Sequence, residues 1–293
     1  MPDAWYNQRT RNSVGEKIAL VTGSSSGIGL LTAVELARAG FRVVASMRDL
    51  GRRARLDEAA TAAGVARQID LRRFDITEFE RIGDFVAQLE RDYGRLDVLI
   101  NNAGFAVAGF AEDLLLKELR QQFETNFFGS VAVTKAVLPI MRRQRSGHII
   151  LVSSIGGRVS APVIGAYDAS KFALEGWGES LRIETRSLGI RVVLVEPGSF
   201  QTDIWERNVR VGSYALNRSS PNHERGARFS EVVKKVRKAN PLPVAKLIAR
   251  IAQAPNPRLR YRVGFDAHLQ FWLHTLLPWN IYEKLVIRAT KIG

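Results

Sequence analysis

The 293-residue chain has no cysteine, three methionines and four histidines. The absence of cysteine excludes disulfides, zinc-thiolate sites, iron-sulfur clusters and a thiol nucleophile. The histidines, His148, His223, His268 and His274, are nowhere paired at helical i, i+3 or i+4 spacing, so no metal site is expected. Long hydrophobic runs are also missing. The most apolar stretch near the C-terminus, residues 271–287, is broken by His274, Pro278, Asn280, Glu283 and Lys284, which is too polar for a spanning helix. Residues 1–16 are polar, carry Arg9 and Arg11, and have no apolar stretch behind them, which argues against a secretory signal. They are expected to form a flexible extension, and a cytoplasmic location is the corresponding expectation.

Acidic residues are short as well: 29 against 43 basic ones, for a net charge of +14. Most of that excess sits late in the chain. Residues 1–199 hold 26 basic and 23 acidic residues, whereas residues 200–293 hold 17 and 6. The plain reading is an arginine-rich solvated surface. The sharper ones are contact with an anionic lipid surface, or with an acidic substrate or carrier; no nucleic-acid partner is expected, because no nucleic-acid-reading motif accompanies the charge.

With 46% hydrophobic and 25% charged residues, the composition is that of a globular protein able to bury a large core. Short apolar runs alternate with longer amphipathic stretches. Strands are expected at residues 17–22, 41–46, 66–74, 96–101, 148–152 and 190–195, with helices at 27–39, 52–63, 78–93, 115–143 and 167–187 between them. Runs that are apolar throughout mean burial on both faces, as in a parallel sheet covered by helices. Right-handed crossovers then yield an α/β doubly wound parallel sheet, with ligands at the carboxyl ends of its strands. Past Phe200 the rhythm breaks. Helical pieces are expected at 203–211 and 229–238, flanking a mobile loop at 213–228, with a last strand at 258–263. The division is a catalytic unit at 17–264, a substrate lid within 203–240, and an amphipathic basic segment at 265–293 broken at Pro278.

The turn after the first strand reads Thr22-Gly23-Ser24-Ser25-Ser26-Gly27-Ile28-Gly29. Glycines there let backbone amides approach a pyrophosphate seated on the N-terminal end of the next helix. This spacing departs from G-x-G-x-x-G but resembles the short-chain dehydrogenase/reductase family, whose Rossmann fold matches the expected sheet. Four further places agree with that resemblance: Asn101-Asn102-Ala103-Gly104, Tyr167-x-x-x-Lys171, Ser154 thirteen residues before Tyr167, and Pro197-Gly198 with Thr202. The resemblance implies that Asn102, Ala103 and Gly104 shape the adenosine side of the cofactor cleft, with Asp75 and Ile76 flanking the adenine. It places Pro197, Gly198 and Thr202 at the nicotinamide carboxamide. Ser154, Tyr167, Lys171 and Asn126 are implied as the catalytic set, Lys171 also holding the ribose and Asn126 anchoring a water in the proton relay. Homodimers or homotetramers built from the 127–141 helix and the helix after Tyr167 are implied too.

Tyr167 and Lys171 stand at i and i+4, on one helical face. An ammonium beside a phenol is expected to favour the phenolate and lower the tyrosine toward working pH. Ser154 is expected to hydrogen-bond the substrate oxygen, with Ser153 as its rival. At the end of the second strand, Met47 stands where a NAD enzyme of the family carries aspartate, and Arg48 follows. That favours NADP(H) over NAD(H), with Ser26 and Arg48 as phosphate contacts; Asp49 leaves NAD open. Met47-Arg48-Asp49-Leu50, residues 170–176 and Glu196-Pro197-Gly198 resemble most the 17-beta-hydroxysteroid and retinol dehydrogenase branch. A lipophilic alcohol or carbonyl is therefore the expected substrate, with Phe200, Ile204, Trp205, Tyr214, Phe229 and the apolar face of 265–287 as candidate pocket residues. Two alternatives stand: a 3-oxoacyl-thioester reductase docking an acidic carrier or coenzyme A, and a non-catalytic nucleotide-binding sensor.

Overall fold

The computed structural model describes residues 15–205, 208–213, 215, 218–236 and 238–293. Most of the expected N-terminal extension and Tyr214 lie outside them. Seven strands form one parallel sheet: β1 (Ile18–Thr22), β2 (Arg42–Met47), β3 (Ile69–Arg73), β4 (Val98–Asn101), β6 (Gly147–Val152), β7 (Ile190–Pro197) and β9 (Arg260–Val263). Their spatial order is β3-β2-β1-β4-β6-β7-β9. The order reverses between β1 and β4, which opens a crevice at the carboxyl ends of those strands.

Alternate residues of each strand serve opposite layers. Ala19 and Val21 of β1 pack with α1 (Gly27–Arg38), α2 (Ala54–Ala62) and α8 (Leu242–Gln253). Ile18 and Leu20 pack on the other side with α3 (Phe79–Tyr93), α5 (Ser130–Gln144) and α6 (Gly165–Thr185). Every residue of β1 is buried, as a doubly covered strand requires. Helix α8 was not among the expected elements, although Val244, Ile248 and Ile251 carry its buried stripe at helical spacing.

Three expectations need correction. The single helix expected at 115–143 is instead α4 (Leu116–Phe123), a π-helical turn (Glu124–Gly129) and α5. Gly129 closes that turn against Ile76, where a Cβ would lie 2.7 Å from Ile76 Cδ1. Residues 203–211 are not helical; a 3₁₀ turn (Asp203–Trp205) leads into β8 (Val209–Val211), which pairs in parallel with β5 (Ala106–Ala108). β-Branched Val209 and Val211 suit that ladder. The helical piece expected at 229–238 is α7, over His223–Lys234, and begins inside the stretch expected to be a loop. Side chains tie that stretch down: Ser220 Oγ donates to Asp113 at 2.7 Å and Asn222 Nδ2 to Glu112 at 2.5 Å. The C-terminal segment is a pair of helices, α9 (Phe265–Leu276) and α10 (Trp279–Thr290), parted at Pro278 as expected.

Candidate active site

The glycine turn is held from behind. Thr22 Oγ1 accepts the amides of Asn102 (3.0 Å) and Ala103 (3.1 Å), and donates to Ile100 O. Asn102 Nδ2 in turn donates to the carbonyls of Thr22 and Gly23, at 2.9 and 3.1 Å. Gly23, at φ +72°, has no room for a side chain, since a Cβ would stand 2.7 Å from Ala103 Cα. A Cβ on Gly29 would come within 2.3 Å of both Asn102 Nδ2 and Gly23 O. Thr22 and Gly29 thus shape the turn without lining the cleft, whereas Gly23, Ser25, Ser26, Gly27 and Ile28 face it. This cradle, opening α1 at its N-terminal end, fits a dinucleotide pyrophosphate.

From the turn a cleft of about 460 Å³ runs across the sheet's carboxyl edge. At one end lie Arg48, Arg52, Asp75 and Ile76. Asp49 also lines the cleft; its Oδ1 accepts the Gly51 amide at 2.9 Å and caps a short 3₁₀ turn. Arg48 and Arg52 have no carboxylate partner among the described residues. The cleft-facing Arg52 was not foreseen; its place four residues beyond Arg48 was the available signal. Asp75 Oδ1 accepts the Thr77 amide and hydroxyl, fixing the turn that carries Ile76.

The other end brings Ser154, Tyr167 and Lys171 together with Pro197, Gly198 and Thr202. Ser154 and the Tyr167 hydroxyl share a hydrogen bond, and Ser154 Oγ also accepts the Gly156 amide at 3.0 Å. The rival Ser153 turns the other way: its Oγ would stand 2.9 Å from a Cβ on Gly157, on the side where Glu175 packs. Lys171 Nζ donates to Val152 O at 2.9 Å and stands 5.8 Å from the Tyr167 ring centre. Burial pushes the ammonium down to about 8. It also pushes the phenol above its ordinary value, against the opposing Ser154 bond. The expected lowering of Tyr167 by Lys171 is therefore overturned in the chain by itself, because desolvation outweighs a cation directed at a carbonyl.

Asn126 sits in the π turn, fully buried and behind the cleft. Its Oδ1 accepts Phe105 N at 3.1 Å, and its Nδ2 donates to Phe105 O and Ser170 Oγ. Ser170 Oγ donates to Tyr167 O at 2.6 Å, which links Asn126 to the tyrosine's own backbone. Both Nδ2 protons are thereby used, while Oδ1 keeps a second acceptor position. Two further residues went unforeseen. Asp266, at the start of α9, accepts Ser199 N at 2.6 Å and braces the Pro197-Gly198 turn. Asp168, beside Tyr167, accepts Ala161 N at 2.8 Å and holds the chain that follows Ser154; burial lifts its carboxyl to about 7.

A doubly wound sheet with a glycine cradle at its switch point defines a dinucleotide-binding site. The chain belongs to the short chain dehydrogenase family, which it matches over residues 17–210, and is an NAD(P)-dependent oxidoreductase. Retinol dehydrogenase 8 of Homo sapiens is 42% identical over 190 residues, 64% of this chain and 60% of that protein. The 3-ketodihydrosphingosine reductase of Bacteroides thetaiotaomicron is 36% identical over 251 residues, covering 85% of this chain and 88% of that one. A metagenomic short-chain oxidoreductase solved in complex with NADP is 28% identical, with a TM-score of 0.67, covering 84% of this chain and 96% of that one.

Proposed function

We propose that this enzyme interconverts an alcohol and its ketone or aldehyde on a lipophilic substrate, using NADP(H) in preference to NAD(H). The observation that carries the reading is the joining of Ser154 and Tyr167 by a hydrogen bond at one end of a cleft whose other end holds Arg48 and Arg52. Two cations without carboxylate partners suit a 2′-phosphate, although Asp49 lines the same end of the cleft. Retinol dehydrogenase 8 and the 3-ketodihydrosphingosine reductase, both similar in sequence, support a lipophilic substrate.

A bound nicotinamide supplies or takes up the hydride. The chain's residues handle the proton and the oxygen. Ser154 holds the substrate oxygen by a hydrogen bond; the Tyr167 hydroxyl passes its proton to that oxygen in reduction, and the Tyr167 phenolate takes it back in oxidation. A phenol kept protonated by burial is set up as the donor. The Lys171 ammonium, fixed by Val152 O, is the cation nearest the phenolate left behind. Asn126 acts at one remove, by anchoring Phe105 and the Ser170 link to the Tyr167 backbone.

The test is a titration with NADPH and NADH followed by energy transfer from protein to nicotinamide, repeated on Arg48→Ala and Arg52→Ala. NADPH binding should weaken selectively, by roughly tenfold or more per arginine. Equal affinity for NADH in the unaltered enzyme would remove the phosphate reading.

A second reading has one observation in its favour. Arg210 lines the cleft beside Phe105, its guanidinium 4.7 Å from the ring centre, where it suits an anionic handle such as that of an acyl thioester. Arg210→Ala should then raise KM for a 3-oxoacyl coenzyme A and leave a free ketone unaffected.

A further inference from the structure

Helix α9 is apolar on two sides. Its inner side places Ala267 and Phe271 in a small core with Ile155, Val159 and Tyr282. Its outer side carries Phe265, Leu269, Trp272 and Leu276, a stripe at i, i+4, i+7 and i+11. These are bare: Phe265 is 82% exposed, Leu276 70% and Trp272 52%. Trp279, 64% exposed, continues the patch across Pro278. A surface helix whose outward stripe is apolar needs a partner, because a patch of this kind is otherwise an aggregation liability.

The charge around the patch says which partner. On α10, exposed Ile281 and Leu285 alternate with exposed Lys284 and Arg288 at helical spacing, so apolar and cationic groups share one face. Helix α7, with Arg225, Arg228 and Lys234 against Glu224 and Glu231, adjoins its end, Arg225 donating to Ile292 O at 2.9 Å. A second copy seated on this face would bring a second Lys284 and Arg288 to it, with Glu283 the one acidic residue of α10 to balance them. An anionic lipid surface neutralises them while tryptophans and leucines enter the headgroup boundary and Lys and Arg stems snorkel. No described helix is long and apolar enough to cross a membrane, so the mode is docking on the surface.

We propose that the outer face of the α9–α10 hairpin docks this enzyme on an anionic lipid bilayer. The hairpin's inner face packs on Ile155, immediately after Ser154, and Asp266 braces the Pro197-Gly198 turn. Docking therefore sets the site's substrate end beside the lipid. The docking itself does not depend on the substrate reading.

The test is co-sedimentation of the full chain with phosphatidylcholine vesicles and with vesicles containing phosphatidylglycerol. We expect binding to the anionic vesicles roughly tenfold tighter than to the neutral ones, weakening with salt. The pair Trp272→Glu/Leu276→Glu should abolish it, and Lys284→Glu/Arg288→Glu should remove the preference for anionic lipid. All four positions are exposed, so circular dichroism and melting temperature should be unchanged. The proposal is overturned by absence of binding at low salt, by equal binding to both vesicles, or by binding that survives Trp272→Glu/Leu276→Glu. It is also overturned if sedimentation equilibrium shows a dimer that this pair converts to monomer, which would assign the face to a second copy.

Discussion

The Arg55 guanidinium lies 2.9 Å from the Asp203 carboxylate, joining α2 to the segment that follows β7. The two belong to parts of the chain whose strands are not neighbours in the sheet. Asp203 lines the cleft, so the pair ties that part of the lining to α2. With Arg55 half exposed, the pair contributes about 0.5–1 kcal/mol to stability. Arg55→Ala should therefore leave the melting temperature almost unchanged and accelerate NADPH release several-fold in stopped-flow fluorescence. A large loss of stability with unchanged release would assign the pair to the fold instead.

Gly29→Ala places a methyl group 2.3 Å from Asn102 Nδ2 and Gly23 O, and neither backbone nor clamp can yield without losing hydrogen bonds. We expect a destabilisation of about 2–4 kcal/mol, from overpacking and a broken buried bond, together with loss of cofactor binding. Gly83→Ala is the matched control. It lies inside α3 with no atom within 4 Å of the new methyl group, and should stabilise by about 0.5–1 kcal/mol. Urea unfolding of both variants checks the pair.

Asp168 carries a pH signature. Its folded carboxyl, raised from 3.8 to about 7, binds a proton that the unfolded chain has already released. The stability it contributes is thus fully present below about pH 4 and is lost as pH rises to about 7. Asp168→Asn should flatten the fall in stability over that interval. Parallel curves for variant and wild type would show the group to be solvated.

Turnover should follow the two groups at the tyrosine. Tyr167→Phe removes the proton donor and should cost roughly 10²-fold or more in kcat with NADPH affinity retained. In the direction of carbonyl reduction, the rate should decline above about pH 8, as Lys171 loses its proton. A profile flat to pH 10 would take Lys171 out of the proton path.

Most of the sheet was legible in the chain because a strand covered on both faces must have an apolar middle, as residues 18–21 and 192–195 do. The glycine turn, the tyrosine-lysine pair and Arg48 were legible because their chemistry depends on local spacing. The region past Phe200 was not. β8 exists only because β5 offers it an edge, and the start of α7 is tied through Ser220 and Asn222 to Asp113 and Glu112, more than a hundred residues earlier. The π turn at Asn126 likewise answers to Ile76 packing on Gly129.

By itself, then, the sequence determined the α/β class, the strands of the seven-stranded sheet as far as Val195 though not β5, and which residues stand at the carboxyl ends of β1, β4 and β6, since these follow from periodicity and neighbours in the chain. Only the tertiary structure decided that Ser154 rather than Ser153 meets Tyr167, and that burial rather than Lys171 governs the phenol. It also decided that Asn102 clamps the turn and that the outer stripe of α9 is left bare. Each of these depends on what is packed against what. Desolvation, close contact and exposure are properties of three-dimensional neighbours, which local spacing does not encode.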